Sequence, residues 1–257
     1  MNMEQTIASE PVSDSFFAQL IALVGEDGVL RDDASVQLAA LDLFFEGEAP
    51  LAEVHPSSAE MVAQVVSLCR AHGVAICPRG GGMSYTSAFQ PQSGRSIAMA
   101  FDRLSAIREI AVEAGHVTVE AGCTWAALDE ALAKHNRRAR FWGPMSGAKA
   151  TVGGSMSQGT VTFGSGVAGA SANAVKSFEI VSGKGEIIKT GSDGTPGLEP
   201  NNRNFGPDLT GIFANDAGAL GIKTAITLEL EPRPKHVSGL SFAYDDFDAM
   251  SRLFGAV

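Results

Sequence analysis

Three consecutive glycines follow directly after a short apolar segment, and this junction constrains the fold more than any other feature of the chain. Residues 74–77 (VAIC) predict a buried strand, and the loop PRGGGMS follows at 78–84. Because glycine has no Cβ, a ligand can approach the main chain closely and several N–H groups can face one concavity. Ser84 adds a hydroxyl donor, and Arg79 either adds charge or supports the loop. The pattern predicts a diphosphate site, and the alternative is a flexible surface turn.

The glycine loop follows a predicted β-α-β unit at residues 51–77. Residues 51–54 predict a first strand, and residues 74–77 predict a second strand parallel to it. Between them runs an amphipathic helix with Ser57 or Ser58 as its N-cap and Gly73 at its end.

Elsewhere the chain alternates strands with turns. The predicted strands are residues 96–100, 107–112, 116–121, 175–181, 186–190 and 221–230. The predicted helices are residues 15–24, 124–134 and 209–213. Residues 26–50, 143–174 and 191–207 are expected to be irregular.

Two further segments are rich in small residues. In the first, GPMS at 143–146 and ATVGGSMSQG at 150–159, backbone and hydroxyls are available but no acid, base or metal ligand is present. It fits either the wrapping of a large flat ligand or a tight internal crossing of elements, and the residues alone do not decide between these. In the second, glycines at 216–224 lead into a strand, which by itself indicates only a loop-to-strand entry.

Several functional classes are disfavoured. The run at 164–169 matches GxGxxG, but a strand is expected near residue 175, which leaves no room for the crossover helix of a dinucleotide-binding fold. The five histidines lack ligand spacing, so no metal site is expected, and no GxSxG elbow occurs. With 29 acidic against 19 basic residues and no basic cluster, nucleic-acid binding is not expected.

The expected location is the cytoplasm. The cysteines, Cys69, Cys77 and Cys123, have no zinc spacing and are expected to be reduced. The N-terminus has no signal-peptide pattern, and no apolar run is long enough to span a bilayer. Peripheral membrane attachment is left open.

Taken in order, five segments resemble the FAD-linked oxidase family that includes vanillyl-alcohol oxidase, p-cresol methylhydroxylase, D-lactate dehydrogenase and the glycolate oxidase flavin subunit. The segments are residues 55–84, 117–132, 151–159, 175–190 and 208–232. The resemblance covers residues 50–235 and implies an α+β fold with FAD between two subdomains. The expected divisions are an N-terminal segment at 1–49, a first subdomain at 50–110, a second at 111–235 and the start of a substrate domain at 236–257.

The resemblance also implies which residues bind FAD. The pyrophosphate would lie on the loop made of Arg79, Gly80, Gly81, Gly82, Met83 and Ser84. The flavin and ribityl chain would contact Pro144, Ser146, Thr151, Gly153, Gly154 and Ser157. The adenosine or ring end would lie near Gly221 and Ile222.

This chain departs from the family pattern in two ways. Members that bind flavin covalently through this loop carry a histidine where this chain has Met83, so non-covalent FAD is expected. The chain ends within a helical pattern at 247–257, which suggests that the substrate-binding cap domain is absent or truncated and leaves the catalytic residues unknown.

The expected function is oxidation of a 2-hydroxy acid such as D-lactate or glycolate by hydride transfer to FAD, with a phenolic alcohol as the second substrate class. The alternatives are the electron-transferring flavin subunit of a molybdenum hydroxylase and a non-catalytic nucleotide-binding module. The expected partner is a small-molecule substrate. The electron acceptor, a membrane or subunit partner and a homodimer are left open.

Overall fold

The computed structural model describes residues 12–161, 164–239 and 241–254. Two β-sheets with surrounding helices share one apolar core, which confirms the α+β prediction. The helices are α1 (Asp14–Val24), α2 (Asp33–Ala40), α3 (Ala59–Ala71), α4 (Trp125–Ala133), α5 (Val152–Gln158), α6 (Ser165–Ala168), α7 (Leu209–Ile212) and α8 (Phe247–Phe254). The strands are β1 (Val29–Leu30), β2 (Glu53–Val54), β3 (Ala75–Arg79), β4 (Ser96–Ala100), β5 (Ile107–Ala111), β6 (His116–Glu120), β7 (Arg137–Ala139), β8 (Val175–Val181), β9 (Ile187–Lys189) and β10 (Ile222–Pro232).

The first sheet has the spatial order β1-β2-β4-β3. Strand β4 pairs in parallel with both β2 and β3, while β1 is antiparallel to β2. The predicted β-α-β unit is therefore present, but its two strands do not pair with each other because β4 lies between them. All five residues of β4 are buried, as expected for a strand paired in parallel on both sides.

Helix α3 determines where the glycine loop begins. Ser58 is its N-cap, and the Ser58 hydroxyl accepts a hydrogen bond from the Met61 N–H at 3.1 Å. The helix ends at His72, and the following Gly73 has φ +61°, a conformation that favours glycine. The chain then enters β3, which runs straight into the loop.

The second sheet is antiparallel, with the order β5-β6-β10-β8-β9 and with β7 also paired to β10. One face carries buried apolar side chains, including Val117, Phe178 and Ile226. The opposite face is polar, and there the hydroxyls of Thr118 and Thr227 share a hydrogen bond of 2.9 Å across the β6–β10 pair. This alternation is typical of an antiparallel sheet with one face packed on a core.

Three of the named helices lie in segments that are expected from the sequence to be irregular. Helix α2 lies within 26–50, and helices α5 and α6 lie within 143–174. Helix α5 has two glycines in its first turn, and each glycine lowers helix propensity by about 1 kcal/mol relative to alanine. Thr151 offsets this as the N-cap, because its hydroxyl accepts a hydrogen bond from the Gly154 N–H at 3.1 Å.

The sheets do not follow the divisions drawn from the sequence. Strand β1 belongs to the first sheet although it precedes residue 50, and β5 belongs to the second sheet although it begins at Ile107, before the expected boundary at 111. The connection between the sheets therefore lies at 101–106. The GxGxxG-like run at 164–169 contains only the four-residue helix α6. A dinucleotide-binding fold needs a long crossover helix after this motif, so the run does not form such a site. Helix α8 lies within 236–257, and the assignment of that segment to a substrate domain stays a prediction.

None of the helices among the described residues is long and apolar enough to cross a membrane.

Candidate functional site

A cavity of about 330 Å³ lies between the glycine loop of the first sheet and elements attached to the second sheet. This volume is within the usual range of small-molecule sites. Its walls come from three places: the loop that follows β3, the segment containing α5, and the loop that enters β10. The three segments that were rich in small residues in the sequence are thus brought together around one space.

The glycine loop packs directly against the segment that begins α5. A Cβ added to Gly80 would lie 2.5 Å from the hydroxyl oxygen of Thr151, and one added to Gly81 would lie 1.9 Å from the carbonyl oxygen of Lys149. These two glycines therefore allow one part of the chain to approach another. The sequence predicts that a ligand approaches where the Cβ atoms are missing, but at Gly80 and Gly81 the chain itself occupies the space.

The main-chain N–H groups of the loop are available as donors. Within the described part of the chain, none of the N–H groups of residues 80–84 donates a hydrogen bond, although all five residues line the cavity. Gly82 has φ +66°, which turns the loop through a conformation that favours glycine. The loop is only partly buried, and a row of adjacent amide donors in a glycine-rich loop is suited to an anion with several acceptor oxygens.

Helix α5 offers no comparable set of donors. The N–H of Val152 donates to the Cys123 carbonyl, and the N–H of Gly153 donates to the Ala121 carbonyl, each within 2.9 Å. The N–H of Gly154 is held by the Thr151 cap. The first turn is thus satisfied internally, so α5 contributes shape, hydroxyls and close packing to the cavity, and the glycine loop contributes the free amide donors.

Arg79 is not among the residues that line the cavity, and its assignment to the pyrophosphate stays a prediction. Its guanidinium donates to the carbonyl of Leu38 at 2.7 Å and lies 5.0 Å from the centre of the Phe89 ring. It also lies behind Gly82, where a Cβ would meet the guanidinium at 2.7 Å. Burial lowers the pKa of Arg79 from its usual value. These contacts indicate that Arg79 supports the loop. The sequence left open whether it does so or adds charge to the site.

The loop that enters β10, which forms the third wall of the cavity, contains a buried ion pair. Lys223 Nζ lies 2.5 Å from Asp216 Oδ1, and each side chain is only 2% exposed. The Asp216 carboxylate also accepts hydrogen bonds from the N–H groups of Gly218 and Leu220, at 2.9 and 3.3 Å. Burial lowers the pKa of Lys223, and the hydrogen bond and charge of Asp216 partly restore it. The pair shapes the loop before Gly221 and places a lysine in the cavity wall.

All of the site residues inferred from the sequence line this cavity except Arg79. They are Gly80, Gly81, Gly82, Met83, Ser84, Pro144, Ser146, Thr151, Gly153, Gly154, Ser157, Gly221 and Ile222. The sequence argument missed Lys223, Tyr85 and Gln158, which also line it. The one available signal for Lys223 was a charged residue at the start of the predicted strand 221–230, directly after the glycine-punctuated loop.

The cavity has few groups that can transfer protons. Tyr85 and Lys223 are the only ionisable residues among the described residues that line it, and Lys223 is held by Asp216. No histidine, aspartate or glutamate takes part in the described lining. The arrangement can hold a phosphorylated, partly apolar molecule, and chemistry at the site has to come mainly from that molecule.

Comparison with known proteins identifies the family of this chain. The FAD binding domain family matches residues 50–191. The glycolate oxidase subunit GlcD of Bacillus subtilis (strain 168) is 27% identical over 204 residues, which are 79% of this chain and 42% of that protein. The mitochondrial D-lactate dehydrogenase [cytochrome] of Arabidopsis thaliana is 30% identical over 186 residues, 71% of this chain and 30% of that protein. The chain thus spans less than half the length of these relatives.

Two solved structures share the fold. Alkyldihydroxyacetonephosphate synthase superposes with a TM-score of 0.75 at 20% identity, over 92% of this chain and 44% of the other. p-Cresol methylhydroxylase with substrate bound gives a TM-score of 0.72 at 23% identity, over 88% and 45%. At these identities the structures show the fold alone, and they confirm the p-cresol methylhydroxylase type expected from the sequence.

Proposed function

This chain belongs to the FAD binding domain family of FAD-linked oxidoreductases and takes FAD as its cofactor, and from that premise we propose that the protein oxidises a 2-hydroxy acid of the glycolate or D-lactate type. The protein oxidises the substrate carbon that carries the hydroxyl, and an acceptor still to be identified removes the electrons. FAD, when bound, supplies the redox chemistry by taking up a hydride.

The observation that carries the proposal is the set of N–H groups without a protein acceptor at residues 80–84, in a loop that lines the cavity together with α5. The oxygens of a diphosphate can accept from such amides, and Ser84 adds a hydroxyl. The small residues Thr151, Gly153 and Ser157 leave room beside the loop for a bulky group. The residues present therefore fit FAD.

Two observations support the 2-hydroxy acid as the substrate class. The relatives named as a glycolate oxidase subunit and as a D-lactate dehydrogenase match 79% and 71% of this chain. In addition, the described lining residues carry no carboxylate that would repel an acidic substrate. Of the two ionisable residues in the described lining, Lys223 is engaged with Asp216, which leaves Tyr85 as the one that could accept the hydroxyl proton.

We assign FAD to a non-covalent complex. Met83 lies in the cavity wall at the position where the covalent members of the family carry histidine, and a thioether on a partly buried side chain has no ring nitrogen to form the bond. Acid denaturation should release all of the flavin into the supernatant. Flavin that stays with the precipitated protein would contradict this assignment.

Anaerobic reduction of the bound flavin tests the substrate class. The protein is expressed from its complete reading frame, loaded with FAD and mixed with D-lactate, glycolate or vanillyl alcohol. Loss of the flavin absorbance near about 450 nm is expected with a 2-hydroxy acid and not with the phenolic alcohol. Dithionite serves as the positive control. Reduction by dithionite and by neither hydroxy acid, or reduction by the phenolic alcohol instead, would contradict the proposal.

A further inference from the structure

The polar face of the second sheet holds a buried histidine without a hydrogen-bond partner. His116 is the first residue of β6, its side chain is 1% exposed, and neither ring nitrogen has a hydrogen-bond partner in the described part of the chain. Buried polar side chains in native structures are nearly always paired, and an unpaired one calls for an explanation such as a bound ion. His116 does not line the FAD cavity.

Two carboxylates lie beside this imidazole. Glu109 on β5 is opposite Thr118, so it lies diagonally across from His116 on the same face, and its Oε2 is 3.8 Å from His116 Nε2. Glu199 comes from the loop between β9 and α7. One ring nitrogen and one oxygen from each glutamate all lie within 4.8 Å of one another. A cation about 2.0–2.2 Å from each atom would draw the three ligands slightly closer together, and both glutamates are exposed enough to move.

Hydrogen bonds within the loop fix the main chain of Glu199. The Ser192 hydroxyl donates to the Glu199 carbonyl at 2.6 Å and accepts from the Asn202 N–H at 3.0 Å. Ser192 is itself buried, so this part of the loop is anchored. The approach of Glu199 to the β5–β6 hairpin therefore follows from the fold of the loop.

Among the described residues, neither Glu109 nor Glu199 is neutralised by an ion pair with a lysine or arginine. By contrast, Glu229, which pairs with His116 across β6 and β10, is held by Arg140 at 2.9 Å. Two carboxylates beside an unpaired imidazole concentrate negative charge around a potential nitrogen ligand, which favours a cation.

We propose that Glu109, His116 and Glu199 form a binding site for a divalent transition-metal cation, with Zn²⁺ as the representative ion. One imidazole nitrogen and two carboxylate oxygens suit Zn²⁺, whereas Mg²⁺ and Ca²⁺ prefer oxygen ligands alone. Water completes the coordination. Because the ligands come from β5, β6 and the loop after β9, the bound ion ties that loop to the hairpin.

Calorimetric titration of the FAD-loaded chain, freed of metal by a chelator, tests this site. One equivalent of Zn²⁺ should bind the wild type, while Mg²⁺ should not bind. Glu109→Gln and Glu199→Gln should each weaken Zn²⁺ binding at least about tenfold, since each removes one charged ligand. Glu113→Gln is the matched control, because Glu113 is exposed in the turn of the same hairpin and lies outside the cluster. It should bind Zn²⁺ as the wild type does.

Substitution with Co²⁺ distinguishes this site from binding by a thiol. The Co²⁺ protein should absorb in the visible range without the near-ultraviolet charge-transfer band of cobalt thiolates, because no cysteine takes part. Wild-type protein that binds no Zn²⁺, glutamine variants that bind Zn²⁺ as tightly as Glu113→Gln, or a thiolate band in the Co²⁺ protein would each overturn the proposal. Unchanged circular dichroism of the metal-free variants shows that lost binding is not lost folding.

Discussion

The Cβ position of Gly81 lies 1.9 Å from the carbonyl oxygen of Lys149, so no side chain fits at residue 81 while the glycine loop and the segment before α5 keep their places. Backbone contact between these two segments closes the cavity along one side. The free amide donors of the loop are consequently held at a set distance from the wall that α5 forms.

Gly81→Ala should therefore impair both stability and FAD binding. The methyl group has to displace backbone, so we expect a loss of about 1–3 kcal/mol in the free energy of unfolding, together with weaker FAD binding. Urea unfolding and fluorescence titration with FAD measure the two effects. Gly183→Ala is the control, because a Cβ at Gly183 meets nothing within 4 Å. Equal FAD affinity in the two variants would show that the contact at Gly81 does not shape the site.

Lys223→Met should be strongly destabilising. The substitution leaves the Asp216 carboxylate buried without its cation, and breaking a buried ion pair costs about 3–5 kcal/mol. The double variant Lys223→Met with Asp216→Asn should recover part of this loss, since no uncompensated charge then remains. A double-mutant cycle based on urea unfolding measures the coupling. Additive losses in the two single variants would mean that the pair does not interact as the distance indicates.

Arg79→Met should weaken FAD binding without changing its response to salt. The variant loses the hydrogen bond to the Leu38 carbonyl and the guanidinium contact with the Phe89 ring, so the loop becomes less ordered. An arginine that paired with the pyrophosphate would add a salt-dependent contribution to affinity. The FAD dissociation constants of wild type and variant should change by the same factor between low and high ionic strength. If FAD affinity depended less on salt in Arg79→Met than in the wild type, Arg79 would have to pair with the pyrophosphate.

Cys69 and Cys123 should be unreactive in the folded protein. Burial raises the pKa of Cys69 to about 12, and burial with the nearby Glu120 charge raises that of Cys123 to about 11. A thiol reagent at pH 8 should label both only after unfolding. An unfolded thiol ionises near pH 9.0, whereas these buried thiols stay protonated there. Their contribution to stability is therefore complete below pH 9.0 and is lost as the pH rises toward 12. Labelling of native protein at both positions would contradict this.

Elements with local signals were predictable from the sequence. The cap at Ser58 and the terminating Gly73 mark α3, and the turn at 113–115 separates β5 from β6. The composition of the cavity walls was also predictable, because small residues and free hydroxyls are properties of the segments themselves.

Features that depend on long-range packing were not predictable. Strand β4 enters the sheet between β2 and β3, and nothing in the alternation of those strands specifies their order. Helix α5 could not be predicted from the sequence because its glycines suggest a loop. Its stability comes from the Thr151 cap and from packing of Gly153 on Ala121. The position of Arg79 depends on Leu38, which is 41 residues away.

Amide hydrogen exchange with and without FAD shows whether the glycine loop holds the diphosphate, because it reports on the individual N–H groups of the loop. The N–H groups of residues 80–84 should exchange rapidly in the FAD-free chain and become protected when FAD binds. Those of Val152 and Gly153, already bonded to Cys123 and Ala121, should be protected in both states. FAD binding that leaves residues 80–84 unprotected would show that the glycine loop does not hold the diphosphate.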